Sequence, residues 1–90
     1  MIILKEETPL VKLWEEDNTS HLDVRELLEA GGEPYNCIMS CVNQLKDGDT
    51  MVLHALFEPI PLLLVLDQMG LDAQPEKVDE EHWKVRITPR

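Results

Sequence analysis

The sequence predicts an α/β fold: a two-layer α+β sandwich with two helices on one face of a four-stranded mixed sheet. Three observations predict it. Apolar and polar residues alternate over His21–Arg25 and again over His82–Thr88, the period of a strand with one buried face. Tyr35, Ile38, Val42 and Leu45, and later Leu62, Val65, Leu66 and Met69, recur at helical spacing. Each helical stretch opens near a proline, Pro34 or Pro59, and each is followed by a glycine, Gly48 or Gly70.

Taken in order, residues 1–18 form an N-terminal arm and residues 19–90 the domain proper. Pro9 breaks the arm, so an extended segment with one helical turn near Val11–Glu15 is expected. Leu22 and Val24 point inward from the first strand. A loop with Gly31 and Gly32 leads to helix one, with Glu33 at its cap and Pro34 in its first turn. Thr50–Leu56 is the second strand. Glu58 and Pro59 open helix two, and Gly70 ends it. Leu71–Val78, interrupted by Pro75, belongs at a sheet edge. Asp79–Glu81 turns the chain, and Trp83, Val85 and Ile87 face inward from the last strand. The order is βαβαββ. Right-handed crossovers put both helices on one face and leave the other open.

Composition excludes several functions. With 90 residues the chain supports one core. Its formal charge of −10 disfavours nucleic acid, which needs a concentrated basic surface. The longest later apolar run, Leu62–Leu66, cannot span a bilayer, so no membrane partner is expected. Cys37 and Cys41 stand four residues apart on one helix, roughly 6 Å between Cβ atoms where a disulfide needs about 3.8 Å. Reduced thiols and the absence of a secretory segment point to the cytoplasm. No phosphate loop, catalytic triad, CxxC or HExxH motif is present, and no cofactor is expected.

Several short motifs follow one another in a fixed order. They are Leu22-Asp23-Val24-Arg25, Gly31-Gly32-Glu33-Pro34, Asp47-Gly48, Phe57-Glu58-Pro59-Ile60-Pro61-Leu62 and Trp83-Lys84-Val85-Arg86. Together this series resembles the DUF2249 family, a bacterial domain family of unknown function related to the TusA/SirA sulfur carriers. The resemblance implies a TusA-like fold. The sulfur carriers open helix one with Cys-Pro-X-Pro; here Gly31 takes the place of the nucleophilic cysteine and Gly32 that of the first proline. A carrier's reagent is a thiolate activated at a helix N-terminus. Glycine has no atom to accept sulfur, so the persulfide chemistry is not expected to transfer.

Three places deserve weighing as sites. Cys37, one turn into helix one, is the thiol candidate; Cys41 lies in the core stripe, where cysteine is a small apolar residue. The pole where both helices begin offers Gly31 and Gly32 for close backbone approach, with Glu33, Glu58 and His54 as weak metal ligands. Helix capping explains the two acids unaided. The open sheet face carries Asp23, Arg25, Val52, His54, Lys84 and Arg86. It offers cross-strand ion pairs such as Asp23 with Lys84 or Arg86, or a docking face. Acids of the arm, Glu6, Glu7, Glu15 and Glu16, and its apolar Leu10, Leu13 and Trp14 suit that face, in the same chain or in a second copy. His21 and His82 are read as surface residues at strand starts. The leading function is a non-catalytic binding or adaptor domain with a protein partner or a homodimeric one. A sulfur or redox carrier working through Cys37 ranks second, and a small metal-binding protein third.

Overall fold

A computed structural model describes Ile2 and residues 9–90. Five strands make one mixed sheet, and three helices accompany them. In chain order these are β1 (Lys12–Glu16), β2 (Thr19–Asp23), α1 (Arg25–Glu29), α2 (Tyr35–Val42), β3 (Thr50–Ala55), α3 (Ile60–Gln68), β4 (Leu71–Asp79) and β5 (His82–Pro89). The strand order across the sheet is β1-β2-β3-β5-β4, with β3 in the middle. β2 and β3 run parallel, and the other neighbours are antiparallel.

The α/β architecture is as expected, with one strand more. Residues 12–16 do not lie across the open face as expected of the arm; they pair edge-on with β2. The reason is local. Asp17 and Asn18 both take positive φ, 50° and 63°, the conformation of a two-residue hairpin turn that matches strand twist. No helical turn forms at Val11–Glu15. Val11 and Ile2 are buried, and Leu13 packs against the same core, so these three apolar side chains of the arm go to the helical side. Glu6 and Glu7 lie outside the described residues.

The second difference is α1. The expected strand at His21–Arg25 stops at Asp23, and a short helix follows. Asp23 Oδ1 accepts a hydrogen bond from the Arg25 backbone N–H at 3.0 Å, an Asx turn that leads the chain out of β2, and Val24 takes the N-cap position of α1. At the other end Gly31 N–H reaches the Leu28 carbonyl at 3.0 Å and Gly32 N–H the Leu27 carbonyl at 2.9 Å. That pair of bonds is a Schellman stop, and Gly31 supplies its left-handed residue with φ of 81°. Gly32 is needed for a different reason: a Cβ there would come 2.3 Å from Leu27 Cδ1 and 2.8 Å from Cγ.

The core lies between the sheet and α2 and α3. Leu22, Met51, Leu53, Val85 and Ile87 meet Ile38, Cys41, Val42 and Leu66 there. Two residues of the expected helical stripes point away: Tyr35 and Met69 are exposed. Leu63, expected outside the stripe, packs against the core instead. No helix among the described residues is long and apolar enough to cross a membrane.

Gly32→Ala is expected to destabilise the fold by about 1–3 kcal/mol through overpacking against Leu27. Leu53→Ala, which opens a cavity at a fully buried position, is expected to cost about 2–5 kcal/mol. Urea denaturation checks both.

Candidate functional site

The uncovered face of the sheet is shaped by strand alternation. β1 contributes Trp14, β2 contributes His21 and Asp23, β3 contributes Val52 and His54, and β5 contributes Lys84 and Arg86. In the pairing, Trp14 stands opposite His21, and Asp23 opposite His54, which in turn faces Lys84. His21 is thus diagonal to His54. His82 opens β5 just beyond, after the turn at Glu80 and Glu81.

Three imidazoles form a continuous row there. His21 Nδ1 lies 3.0 Å from His54 Nε2, and His54 Nδ1 lies 2.9 Å from His82 Nε2. Both nitrogens of His54 are engaged, one to each side. That satisfaction is required, because His54 is only 6% exposed and an unpaired buried polar group is costly. Trp14 covers the row. Its indole stacks on His21 at 5.0 Å between centroids and 6° between planes, and on His54 at 5.5 Å and 24°.

Electrostatics keep the middle ring neutral. Burial pushes the His54 pKa down to about 4, against the pull of the Asp23 carboxylate. His82 is lowered too, by burial and then by the Arg25 charge. Asp23 is held by Arg25 through Nη2–Oδ2 at 2.8 Å and Nε–Oδ1 at 3.1 Å. Burial works to raise the Asp23 pKa, but the Arg25 hydrogen bonds outweigh it and the net shift is downward.

Two recesses flank the row. A cleft of about 320 Å³ contains His82, the Asp23–Arg25 pair, Lys12, Asp79 and Glu81 in its wall. A groove of about 260 Å³ contains His21, Val52, Glu76, Lys84 and Arg86. His21 and His82 therefore each border one recess, and the buried His54 joins them.

The other expected site residues are placed as follows. Arg25 starts α1 rather than ending a strand, yet its side chain still meets the open face through Asp23. Asp23 does not pair with Lys84 or Arg86, because β3 separates β2 from β5. Lys84 and Arg86 do occupy the face, on the groove wall. Gly31 and Gly32 serve the α1 stop and its packing. Glu33 Oε1 accepts the Tyr35 N–H at 2.8 Å just before α2, but the N-cap position expected for Glu33 belongs to Pro34. Glu58 sits on the loop before α3. Glu33, Glu58 and His54 do not converge, and no cluster of three His, Cys, Asp or Glu groups suited to a metal ion occurs among the described residues. Cys37 is half-buried against the core, and burial pushes the Cys41 thiol up to about 11, with Cys37 adding to the shift.

Sequence reasoning placed His54 on this face but missed that His21 and His82 join it. Alternation put His21 and Asp23 on one face; only the β2–β3 register sets them beside His54. The family described as "Uncharacterized conserved protein (DUF2249)" matches residues 21–89. No curated protein and no solved structure matches the chain.

The row has a consequence for stability. The unfolded chain binds a proton on His54 near pH 6.5, the native chain only near 4. Stability from this group is therefore complete above about pH 6.5 and falls as pH drops towards 4. His54→Gln removes that loss. Denaturant midpoints measured at pH 7 and pH 5 should fall further for the native chain than for the variant.

Proposed function

The chain belongs to the DUF2249 family of uncharacterized conserved proteins, and from that starting point we propose that it is a non-catalytic binding domain that docks a protein partner on the outer face of α3. One observation carries the proposal. Ile60 and Leu64, one helical turn apart, are 56% and 63% exposed, and Phe57 just before the helix is 53% exposed. Residues four apart share a helix face. Each large aliphatic side chain left in water forgoes about 1.5–3 kcal/mol of burial.

The composition of α3 points the same way. Its sequence, Ile-Pro-Leu-Leu-Leu-Val-Leu-Asp-Gln, is apolar on nearly every side, yet only Leu66 is buried. Leu62 and Leu63 pack against the core. A helix apolar all round belongs in an interior, and a partner would complete that interior. Asp67 and Asp72 near the end of α3 already pair with Arg90, so the fit to a partner with basic residues around an apolar patch rests on the net charge of −10. The absence of catalytic motifs, and glycine at the position the sulfur carriers give to cysteine, support a binding role over a chemical one. The two free thiols, Cys37 and Cys41, suit the reducing cytoplasm.

A photo-reactive amino acid at position 64, tested in cells, should give a discrete cross-linked protein product that Ile60→Glu removes. The same group at exposed position 15 on β1 should give none. Equal products from both positions, or none from 64, would overturn the proposal. Ile60→Glu, at an exposed position, should change stability by less than about 0.5 kcal/mol, so a lost product cannot be ascribed to unfolding.

A further inference from the structure

The histidine row has a property that neither a structural contact nor the α3 face explains: it has two equivalent hydrogen-bonded settings. A neutral imidazole carries one N–H and one lone pair. In the first setting, His82 donates its Nε2–H to His54 Nδ1, and His54 donates its Nε2–H to His21 Nδ1. The outer ends of the row then show a donor, His21 Nε2–H, and an acceptor, His82 Nδ1. In the second setting every bond is reversed and the ends exchange roles. Both settings satisfy the same contacts of 3.0 Å and 2.9 Å.

We infer that His21, His54 and His82 act as one proton relay between the cleft at His82 and the groove at His21. The step balances. A proton from water or a bound Brønsted acid adds to His82 Nδ1 and makes that ring an imidazolium. His82 passes its Nε2 proton to His54 Nδ1 as His54 passes its Nε2 proton to His21 Nδ1. His21 releases its Nε2 proton to the groove. One proton enters, one leaves, and each ring ends neutral in its other tautomer.

The surroundings favour this behaviour. The middle ring is buried beneath Trp14, away from water that would short-circuit the row. The outer rings each border an open recess. The charges around the row and its two recesses are mixed: Asp23 from β2, Arg25, Glu26 and Glu29 from α1, Glu76 and Asp79 from β4, Lys84 and Arg86 from β5, Lys12 and Glu16 from β1, and Asp17 and Glu81 from the turns. The Asp23–Arg25 pair is internally neutralised, so no single fixed charge pins the proton at one end. A ligand that donates a hydrogen bond at His82 would select the first setting and so present a donor at His21.

Imidazole ¹⁵N NMR of the full chain from pH 4 to 9 tests the relay. In the native protein the tautomer populations of all three rings should move together, because reversing one hydrogen bond of the row reverses the other. His82→Phe should shift the tautomer ratio of His21. His54→Gln is the critical variant: its amide can donate to one neighbour and accept from the other but cannot pass a proton between them. In that background the effect of His82→Phe on His21 should vanish. Tautomer populations that change independently at His21 and His82 in the native chain would overturn the relay. So would an equal His82→Phe effect in both backgrounds, which would report field effects through space. Metal-type ¹⁵N shifts that disappear on adding a chelator would overturn it as well.

Discussion

A polar ring on the central strand must find partners on both of its sides, and most of the open face follows from that requirement. His54 sits on β3, the middle of five strands, and is nearly sealed from solvent. Water cannot satisfy it, so protein must. His21 comes from the neighbouring strand, His82 from the start of β5, and Trp14 from the hairpin supplies the cover. Edge strand β1 thereby has two duties. Its inward Leu13 extends the core, and its outward Trp14 closes the histidine row.

The opposite layer obeys a different constraint, the need to stop one helix and start another within five residues. Gly31 and Gly32 end α1, and Glu33 and Pro34 begin α2. The backbone at Gly31 is left-handed, with φ of 81°, where a side chain is strained. The glycine is thus explained by chain geometry. The two thiols sit against or within the core.

Charge is distributed unevenly between the faces. The chain carries eighteen acids and eight Lys or Arg residues, yet Lys84 and Arg86 stand together on the groove wall and Arg25 at the cleft. The bidentate Arg25–Asp23 pair joins α1 to the end of β2 beside the histidines. Such pairs fix geometry more reliably than they add stability when partly exposed. The apolar side chains of α3 lie on the other layer, so the domain presents two chemically distinct surfaces.

Much of this was legible in the sequence. The period-2 runs placed Leu22, Val85 and Ile87 in the core, and the helical stripes placed Ile38, Val42 and Leu66 there. Pro75 marked β4 as an edge. These signals are local, because a side chain's direction follows from backbone period alone. Two local signals were there and were outcompeted. Asp17-Asn18 between alternating segments is hairpin chemistry, and Arg25-Glu26-Leu27-Leu28-Glu29-Ala30-Gly31 is a short helix stopped by glycine; alternation through Arg25 masked the second. The histidine row is of another kind. His21, His54 and His82 are separated by 33 and 28 residues, and their meeting depends on the parallel register of β2 with β3 and on β5 entering the sheet beside β3. Register and strand order are set by the packing of the whole core, so only the tertiary structure could decide that three scattered histidines become one site.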